Sequence, residues 1–417
     1  MTADTTREAA AAADAADPLA AFRSQFVLEE TGPIYLDGNS LGRMPTATAA
    51  ALSAVVAEWG RELIAGWDRG WLALPGAVGD EIAPLLGASP GEVVVSDSTT
   101  VNLYKCAVAA LDAAPDRRVI VAERGDFPTL GYVLQGIAAA RGLELRLVDA
   151  DRREGLSTDV LEEALGDDVG LCCLSAVDYR SGARLDLAAV AAACRRVGAL
   201  LLLDASHGAG AIALDLPGAG VDLAVGCSYK YLNGGPGSPA WLYVPNRIQD
   251  RLRPPIWGWW GRRDMFAMEP DYDPAPGATR FLAGTAAVLG LTAVRSGVAP
   301  LVAAGMAAIE AKTRGLVALL AALVDQRLAP LGARLASPAD PTRRGGHLAV
   351  SHPHAAAVCA AAADSGLVVA DFRRPDLIRL APVALYTRFV DVVDAVDRLA
   401  SVLAGFAPGG RAPVGLS

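Results

Sequence analysis

The sequence predicts an α/β fold, in which a large domain with a parallel-rich central sheet is followed by a smaller α/β domain. Short apolar runs alternate with Ala-rich helical patterns between about residues 89 and 245, as is typical of parallel sheets covered by helices. The 417 residues are 53% hydrophobic and 20% charged, which indicates a globular chain with a large core. A long helical region begins near Ala286 and leads into a second α/β unit.

Six apolar runs are the predicted strands of the large domain, and helical segments such as Leu185–Val197 separate them. The runs are Glu92–Val95, Arg118–Val121, Glu144–Val148, Gly170–Leu174, Leu200–Leu203 and Asp222–Val225. Residues 254–261 are rich in Pro, Gly and Trp and are predicted to form an irregular loop. We expect residues 1–49 to pack with the small domain, 50–290 to form the large domain, and 291–417 to form a connecting helix and the small domain, which ends in the helix Val390–Leu403.

Composition excludes several classes of function. A net charge of −9 argues against nucleic-acid binding, which needs a basic face. No uncharged apolar stretch approaches the length of a membrane span. The residues up to about Ala21 lack the basic start and apolar core of a signal peptide, and we expect a frayed tail running into a helix. The six cysteines lack Cys-x-x-Cys spacing, which predicts a reduced cytoplasmic protein with buried thiols.

Few lysines are available for chemistry, because the chain contains only Lys105, Lys230 and Lys312. Lys312 lies in an Ala-rich helical pattern and is predicted to be solvated, whereas Lys105 follows Ser98-Thr-Thr by one helical turn and could line a site. Lys230 lies between an apolar run and a glycine-rich turn, with a tyrosine on each side. A lysine amine in such a place suits a carbonyl cofactor held as a Schiff base.

A second segment, residues 199–210, indicates the same chemistry. Its apolar run is typical of a strand buried on both faces of a sheet, and Asp204 and His207 fall at the carboxyl end, where parallel sheets bind ligands. An acid facing a pyridine nitrogen keeps it protonated and makes the ring an electron sink. Alone, Asp204 would be interpreted as a helix cap and His207 as a polar core group. Together with Lys230 they favour a pyridoxal 5'-phosphate (PLP) site.

The turn Ser98-Thr-Thr-Val-Asn102 precedes a helical pattern. Backbone N–H groups and the helix dipole make such a helix start a cradle for phosphate. An ordinary N-cap would use the same residues, so the turn by itself is compatible with both interpretations.

Motifs along nearly the whole chain resemble those of the kynureninase family, in its bacterial form. The most specific is Gly226-Cys-Ser-Tyr-Lys-Tyr-Leu-Asn-Gly-Gly-Pro-Gly237. The others, in the family's order, are Tyr35-Leu-Asp-Gly-Asn-Ser-Leu-Gly42, Asp97-Ser-Thr-Thr-Val-Asn-Leu103, Asp126-Phe-Pro-Thr129, Tyr179-Arg-Ser-Gly182, Asp204-Ala-Ser-His207, Gly258-Trp-Trp-Gly261, Arg280-Phe-Leu-Ala-Gly-Thr285, Asp371-Phe-Arg373 and Ile378-Arg-Leu-Ala-Pro-Val-Ala-Leu-Tyr386. The resemblance implies the aspartate aminotransferase-like fold of PLP-dependent transferases. It also implies hydrolysis of L-kynurenine to anthranilate and L-alanine in tryptophan catabolism.

The resemblance implies roles for individual residues as well. The implied catalytic residues are Lys230, Asp204 and Tyr229, of which Tyr229 would contact the phosphate and take part in proton transfer. The implied cofactor contacts are Thr99 and Thr100 at the phosphate, Phe127 stacked on the ring, and Ser175, Asp204, His207, Tyr229, Lys230, Trp259 and Thr285. Trp259 and Thr285 would come from the neighbouring subunit, which implies a homodimer with shared sites.

The substrate side of the pocket is implied to consist of Ser40, Trp67, Gly284 and Arg379. Arg379 would clamp the substrate α-carboxylate, a task that suits a bidentate guanidinium. Trp67 and Gly284-Thr285 resemble the bacterial form, which is associated with kynurenine rather than its 3-hydroxy derivative.

Three positions depart from the family's pattern at or near the pocket. Leu130 replaces an acid after Phe-Pro-Thr, which would leave Asp204 alone to hold the pyridinium. Arg262 replaces a histidine after Trp-Trp-Gly, and Ala176 stands where bacterial members carry histidine. These changes bear on the substrate and on turnover rather than on the cofactor.

The other histidines give weaker signals. His352 and His354 are predicted to be solvated loop residues, and no metal site is expected because no carboxylate or thiol cluster accompanies them. His347 follows Arg343-Arg-Gly-Gly and has no role assigned by its pattern.

Two alternatives stay open from the sequence alone. The three departures would suit a paralogue that acts on a substituted kynurenine or another amino acid in specialised metabolism. The second alternative is a non-catalytic protein that keeps the fold of PLP enzymes. The presence of Lys230, Asp204 and Arg379 argues against it.

Overall fold

The computed structural model describes residues 4–29 and 31–406. The strands are β1 (Ile34–Tyr35), β2 (Val93–Val95), β3 (Val119–Glu123), β4 (Glu144–Val148), β5 (Val169–Ser175), β6 (Leu200–Asp204), β7 (Leu223–Gly226), β8 (Trp241–Tyr243), β9 (Arg334–Leu335), β10 (Leu348–Ser351), β11 (Val368–Val369), β12 (Asp371–Arg373) and β13 (Leu377–Leu380). The helices are α1 (Arg7–Ala15), α2 (Thr48–Glu62), α3 (Leu74–Ile82), α4 (Thr99–Asp112), α5 (Pro128–Arg141), α6 (Thr158–Ala164), α7 (Leu187–Val197), α8 (Leu216–Ala219), α9 (Val288–Ala304), α10 (Met306–Leu323), α11 (Ala355–Asp364) and α12 (Phe389–Ala404).

A seven-stranded sheet organises the first two thirds of the chain, in the order β2-β8-β7-β6-β5-β3-β4. Strands β3 to β7 pair in parallel, whereas β8 runs antiparallel to β7 and β2. The prediction of a parallel-rich α/β sheet is therefore confirmed, and each of the six predicted strands is present within two residues at either end. The sequence analysis missed β8, because its three residues lie between Pro239 and Pro245 and proline argues against a strand.

A second, antiparallel sheet, in the order β12-β13-β10-β9, lies in the last third of the chain. It shares a buried apolar cluster with α10, α11 and α12. Strand β1 pairs in parallel with β11, which brings the segment after residue 33 to the edge of this region. The site residues of that segment, such as Ser40, are thereby held beside the second sheet.

The N-terminal segment forms a helix where a frayed tail was expected. Helix α1 begins after the N-cap Thr6, whose side chain accepts a hydrogen bond from the amide of Ala9. The carboxylate of Asp14 accepts hydrogen bonds from the amides of Phe389 and Val390 and so caps α12. The expectation of a frayed tail is wrong for residues 7–15, and its first three residues lie outside those described, as do residues 407–417 of the predicted last segment.

The long helical region after Ala286 is present as two helices, α9 and α10, with Gly305 at φ +76° between them. Within the described part of the chain, no single helix meets the length and apolarity needed to cross a membrane. The stretch 288–304 and the stretch 306–331 meet that test only as a pair, and they are bent by 85°.

Candidate active site

A cavity of about 230 Å³ opens at the carboxyl edge of the central sheet. It is lined by Ser98, Thr99, Thr100, Leu103, Phe127, Thr129, Leu130, Ser175, Val177, Tyr179, Asp204, Ser206, His207, Tyr229 and Lys230. The structure thus places eight of the residues named from the sequence around one space, namely Thr99, Thr100, Phe127, Ser175, Asp204, His207, Tyr229 and Lys230.

The topology of the sheet explains this convergence. Ser175 and Asp204 are the last residues of the adjacent strands β5 and β6, and they lie opposite each other in the parallel ladder. Phe127 precedes α5 beyond the end of β3, and Lys230 follows the end of β7. Since the carboxyl ends of parallel strands meet at one edge, residues far apart in sequence line the same cavity.

The amine of Lys230 lies inside the cavity. Its Nζ is 3.0 Å from Nε2 of His207, 6.0 Å from the ring centre of Phe127 and 5.9 Å from that of Tyr229. An ammonium only donates hydrogen bonds, so Nε2 of His207 accepts from it. Both rings are close enough to stabilise the positive charge through cation–π attraction.

The backbone at Lys230 requires a glycine at position 42. The amide of Gly42 donates to the carbonyl of Tyr229 at 2.8 Å, and a Cβ on Gly42 would lie 2.2 Å from the carbonyl oxygen of Lys230. Any side chain there would push the lysine segment away. The Gly-Asn-Ser-Leu-Gly motif near the N-terminus therefore serves the placement of the lysine.

The helix start at Ser98 also lines the cavity. The hydroxyl of Ser98 accepts a hydrogen bond from the amide of Val101 and caps α4, while Thr99 and Thr100 occupy the first turn. The free amides of this turn and the positive end of the helix dipole favour an anion. Thr99 and Thr100 add hydroxyl donors at the same place.

His207 is buried and neutral. Burial lowers the pKa of His207 well below its ordinary value, and the nearby charge of Lys230 lowers it further. The neutral ring that accepts at Nε2 carries its proton on Nδ1, and Nδ1 has no hydrogen-bond partner among the described residues. The site therefore holds an unsatisfied donor in its wall, which a bound ligand could satisfy.

Asp204 has one oxygen committed and one available. Its Oδ1 accepts from the amide of Ser206 at 2.8 Å, and the side chain is 7% exposed. The hydroxyl of Ser206 in turn accepts from the amide of Cys227, which ties the ends of β6 and β7 together. A carboxylate held in this way is oriented before any ligand binds.

Asp126 is a buried carboxylate beside the cavity, one residue before the lining residue Phe127, and the sequence analysis assigned it no role. Its side chain is 8% exposed, and burial raises the pKa of Asp126 to about 7, with a smaller contribution from the charge of Asp204. Asp126 thus places a second carboxylate near Asp204, whereas Asp204 is the carboxylate among the residues that line the cavity, as expected from Leu130. The position of Asp126 three residues after the end of β3 was the sequence signal that could have identified it.

Tyr229 is protonated at neutral pH. Burial raises the pKa of Tyr229 above its ordinary value, and the adjacent Cys227 adds to the rise. A phenol with a raised pKa keeps its proton and is able to donate it. Tyr179 also lines the cavity and packs edge-on against Phe127, with 5.4 Å between the ring centres.

Arg379 lies in a second cluster, built on β13. Its guanidinium is 1% exposed and binds both oxygens of Asp371, through Nε at 2.8 Å and Nη2 at 2.7 Å. Nη1 donates to the carbonyl of Tyr179 at 2.6 Å, and Nη2 also lies 3.3 Å from the hydroxyl of Ser40. Through Tyr179 this cluster adjoins the wall of the Lys230 cavity.

Four of the residues named from the sequence lie away from the Lys230 cavity of their own chain. Gly284 and Thr285 line a different cavity of about 380 Å³, together with Trp260 and Asp97. Trp67 packs on Trp260 and on Trp71. Trp259 is 40% exposed and packs against Trp260 and Phe266.

Two of the three lysines have structural contacts. Lys105 is fully buried and donates to Asp97 at 2.8 Å and to the carbonyl of Phe281 at 2.8 Å, so it does not line the Lys230 cavity. The prediction that Lys312 is solvated is wrong, because its side chain is 7% exposed and pairs with Asp17 at 2.6 Å.

The expectation for His352 is wrong, whereas His354 is exposed as predicted. His352 is buried rather than solvated, and its Nδ1 accepts from the amide of the exposed His354. His347 is fully buried, with its ring centre 5.3 Å from that of His207. Arg262 binds Glu269 and the carbonyls of Asp264 and Asp271, so it ties its own loop together.

Ala176, which stands where bacterial members of the family carry histidine, is a buried residue directly after β5. Its amide donates to the carbonyl of Asp204 at 2.9 Å, and the side chain is 1% exposed within the large apolar cluster. Within residues 4–29 and 31–406, no group of three or more His, Cys, Asp or Glu residues could hold a metal ion.

PLP fits the donor set of the cavity. The first turn of α4 suits its phosphate, the face of Phe127 suits its ring, and the free oxygen of Asp204 suits its protonated nitrogen. The unpaired Nδ1–H of His207 is available to an oxygen acceptor on the ring. Lys230 supplies the amine that a carbonyl group requires.

Known proteins match nearly the whole length of this chain. Residues 309–399 match the sequence model of the kynureninase C-terminal domain. A kynureninase from Burkholderia pseudomallei is 45% identical over 408 residues, which cover 95% of this chain and 95% of the relative. The chain belongs to the kynureninase family.

Solved structures of related enzymes show the same fold. A cysteine desulfurase from Thermococcus onnurineus superposes with a TM-score of 0.80 at 18% identity, covering 92% of this chain and 98% of its own. A mutant of the cystine C–S lyase C-DES, with glycine covalently linked to its PLP cofactor, gives a TM-score of 0.78 at 20% identity, covering 88% and 96%. The chain thus has the aspartate aminotransferase-like fold.

Proposed function

We propose that this chain hydrolyses the Cβ–Cγ bond of L-kynurenine in tryptophan catabolism, releasing anthranilate and L-alanine, with PLP held on Lys230. The observation that supports this most directly is that Lys230, Asp204, Phe127 and the first turn of α4 surround one cavity. The kynureninase relative from B. pseudomallei matches across 95% of the chain, which favours this reaction over that of a divergent paralogue.

The cofactor supplies an electron sink when it is bound, and residues of the chain hold the proton on its ring nitrogen and orient the ring. Asp204 would hold the proton on the ring nitrogen through its uncommitted oxygen, because its other oxygen already accepts from the amide of Ser206. Phe127 would cover one face of the bound ring, and Thr99 and Thr100 would hold its phosphate. These contacts fix the ring relative to Lys230.

Lys230 and Tyr229 are the groups that move protons. Lys230 would hold the cofactor through its Nζ, and the same amine would serve as the base for the α-proton of the substrate. Tyr229 keeps its phenolic proton because burial raises its pKa, so we assign it the delivery of a proton to the β-carbon. Both residues lie in the segment that follows β7, and the Nζ of Lys230 is 5.9 Å from the ring centre of Tyr229.

Arg379 binds the substrate α-carboxylate in this proposal, and Asp371 holds its guanidinium in position. The guanidinium of Arg379 has five N–H donors, and four of them bond to Asp371, Tyr179 and Ser40. The second N–H of Nη1 is therefore available to the substrate. Ser40 is the weakest of these contacts at 3.3 Å and is the one that a carboxylate can replace.

A homodimer with shared sites would bring the remaining residues to the pocket. The loop that carries Trp259 exposes other large apolar side chains, with Trp257 58% and Phe266 56% exposed. Exposed apolar surface of this kind indicates a protein interface. We propose that Trp259 and Thr285 contact PLP in the partner subunit and that Trp67 and Gly284 line the substrate side of the shared site.

The setting of the enzyme is also proposed. All six cysteines are buried and unpaired, which suits a reducing cytoplasm. We further propose the division into residues 1–49, 50–290 and 291–417, in which β1 attaches the first part to the third through β11.

One assay tests the proposed reaction. Purified protein loaded with PLP is incubated with L-kynurenine, and the fluorescence of anthranilate is followed while L-alanine is quantified. Equal amounts of the two products are expected. A protein that consumes another amino acid but forms no anthranilate would favour the paralogue instead.

A further inference from the structure

The carboxylate of Asp126 joins two parts of the cofactor site. Its Oδ1 accepts from the amide of Phe127 at 2.6 Å and from the hydroxyl of Ser175 at 2.6 Å. Its Oδ2 accepts from the amide of Ser175 at 2.9 Å. One buried carboxylate therefore fixes the residue that begins α5 and the residue that ends β5.

Asp126 also belongs to a row of polar residues across three neighbouring strands. Strand β5 lies between β3 and β6, and Ser175 pairs with Asp204 at the end of the ladder. Asp126 binds Ser175 from the β3 side, so Asp126, Ser175 and Asp204 follow one another across the carboxyl edge. Leu130, which is 2% exposed, lines the same cavity one helical turn after Phe127.

We propose that Asp126 is a positioning residue for PLP, which holds Phe127 and Ser175 against the ring and supplies, behind Asp204, the second carboxylate that Leu130 cannot provide. This inference rests on the cofactor site of the proposed function. It assigns to Asp126 both a mechanical task and an electrostatic one.

The two tasks have separate physical consequences. An asparagine offers only one acceptor oxygen, so at least one of the three donors around residue 126 would lose its partner in a buried place. The loss of a negative charge near a protonated cofactor disfavours the protonated form. PLP should bind less tightly, and the pH at which its visible absorbance titrates should move down.

The test uses the full-length, PLP-loaded enzyme and the variant Asp126→Asn. Bound PLP is measured after dialysis against graded PLP concentrations, and the visible absorbance is titrated with pH. We expect a loss of PLP affinity of about tenfold or more and a midpoint that falls by about half a pH unit or more. A wild-type affinity and midpoint would overturn the proposal.

Glu92→Gln is the matched control. Glu92 is also a buried carboxylate, 7% exposed, and accepts from the amides of Ser89 and Asn246 outside the cavity. This variant should keep both readouts at wild-type values. Equal losses in Asp126→Asn and Glu92→Gln would overturn the proposal, because they would reflect general destabilisation.

Two further variants complete the test. In Asp126→Asn/Leu130→Asp, the new acid on the first turn of α5 should return the absorbance midpoint toward the wild-type value, and no return would contradict the electrostatic task. If Asp126→Asn does not fold, Leu130→Asp alone decides. If Leu130→Asp binds PLP within about threefold of wild type, the result supports Asp126 as the acid already in place. A gain in PLP affinity of about tenfold would overturn the proposal for Asp126. These readouts need no kynurenine, so their failure is distinct from a failure to form anthranilate.

Discussion

The amine of Lys230 and the imidazole of His207 form a buried hydrogen bond, with 3.0 Å between Nζ and Nε2. Burial and the charge of Lys230 lower the pKa of His207, so the imidazole is a neutral acceptor. The bond joins the segment after β7 to the segment after β6. It holds the amine inside the cavity, beside the rings of Phe127 and Tyr229, before a ligand arrives.

Lys230→Ala should abolish the covalent link to PLP, because Lys105 and Lys312 are engaged in ion pairs outside the cavity. The visible absorbance should disappear or revert to that of noncovalently held PLP. Absorption spectra of the purified variant, before and after borohydride treatment, provide the measurement. Lys312→Arg, which keeps the charge that pairs with Asp17, is the control and should retain the wild-type spectrum. A persistent wild-type spectrum in Lys230→Ala would show that another lysine holds the cofactor.

Arg379→Ala should weaken substrate binding far more than cofactor binding. A hydrogen bond to a charged group contributes about 1.5–3 kcal/mol, so KM for L-kynurenine should rise by about tenfold to a hundredfold. Arg373→Ala is the matched control, because Arg373 pairs with the same Asp371 at 2.7 Å but is 38% exposed. Steady-state kinetics of both variants at saturating PLP separate the two. Equal increases in KM for Arg379→Ala and Arg373→Ala would contradict the assignment of Arg379 as the residue that binds the substrate α-carboxylate.

Lys312→Ala should destabilise the fold. Removing one partner of a buried ion pair leaves the charge of Asp17 unpaired, at a cost of about 3–5 kcal/mol in the free energy of unfolding. Arg314→Ala, on the same helix, breaks an exposed pair with Glu310 and should cost less than about 1 kcal/mol. Urea denaturation of both variants measures the difference. A similar cost for the two would show that the Lys312–Asp17 pair contributes little.

The sequence was informative where local pattern and sheet topology coincide. Apolar runs that end in Ser175, Asp204 and the Lys230 segment predicted a common edge, and the structure has one cavity there. The pattern could not show Lys312 as buried, because its partner Asp17 belongs to a distant part of the chain. The pairing of Arg379 with Asp371 was not predicted for the same reason, although both residues lie in motifs that resemble those of the kynureninase family.

Asp126 and β8 were missed for different reasons. Asp126 lies four residues before Leu130, and the direction of its side chain depends on how the chain passes from β3 into α5, which the sequence pattern does not show. Strand β8 is short and flanked by prolines, so only its pairing with β7 and β2 defines it. In both cases the deciding contact is between segments that are not adjacent in sequence.

His347 should make the fold less stable at acidic pH. Burial lowers the pKa of His347 well below its ordinary value, with smaller contributions from Arg379 and Lys230. Below about pH 6.5 the unfolded chain binds a proton that the folded chain does not, so stability falls as pH falls. The stabilising contribution of the neutral histidine is therefore complete only above that pH.

His347→Asn should reduce the pH dependence of the unfolding free energy by up to about 1.4 kcal/mol per pH unit below pH 6.5. Burial raises the pKa of Glu123 to about 8 and that of Asp126 to about 7, and these groups act in the opposite direction. They are present in both proteins and cancel in the comparison. Denaturation of wild type and variant at several pH values, with saturating PLP, is the measurement. Parallel curves would contradict the assignment.

Mixing two inactive variants tests whether the sites are shared between subunits. Lys230→Ala removes the lysine, and Thr285→Ala removes a group that we place in the partner's site. Random exchange makes half of the dimers mixed, and each mixed dimer has one site with both residues intact, so about a quarter of wild-type anthranilate formation should return. Exchange is verified by co-purification of two different affinity tags. Verified exchange without any recovered activity would show that Lys230 and Thr285 serve the same site of one chain, because each mixed dimer would then carry a defect in both of its sites.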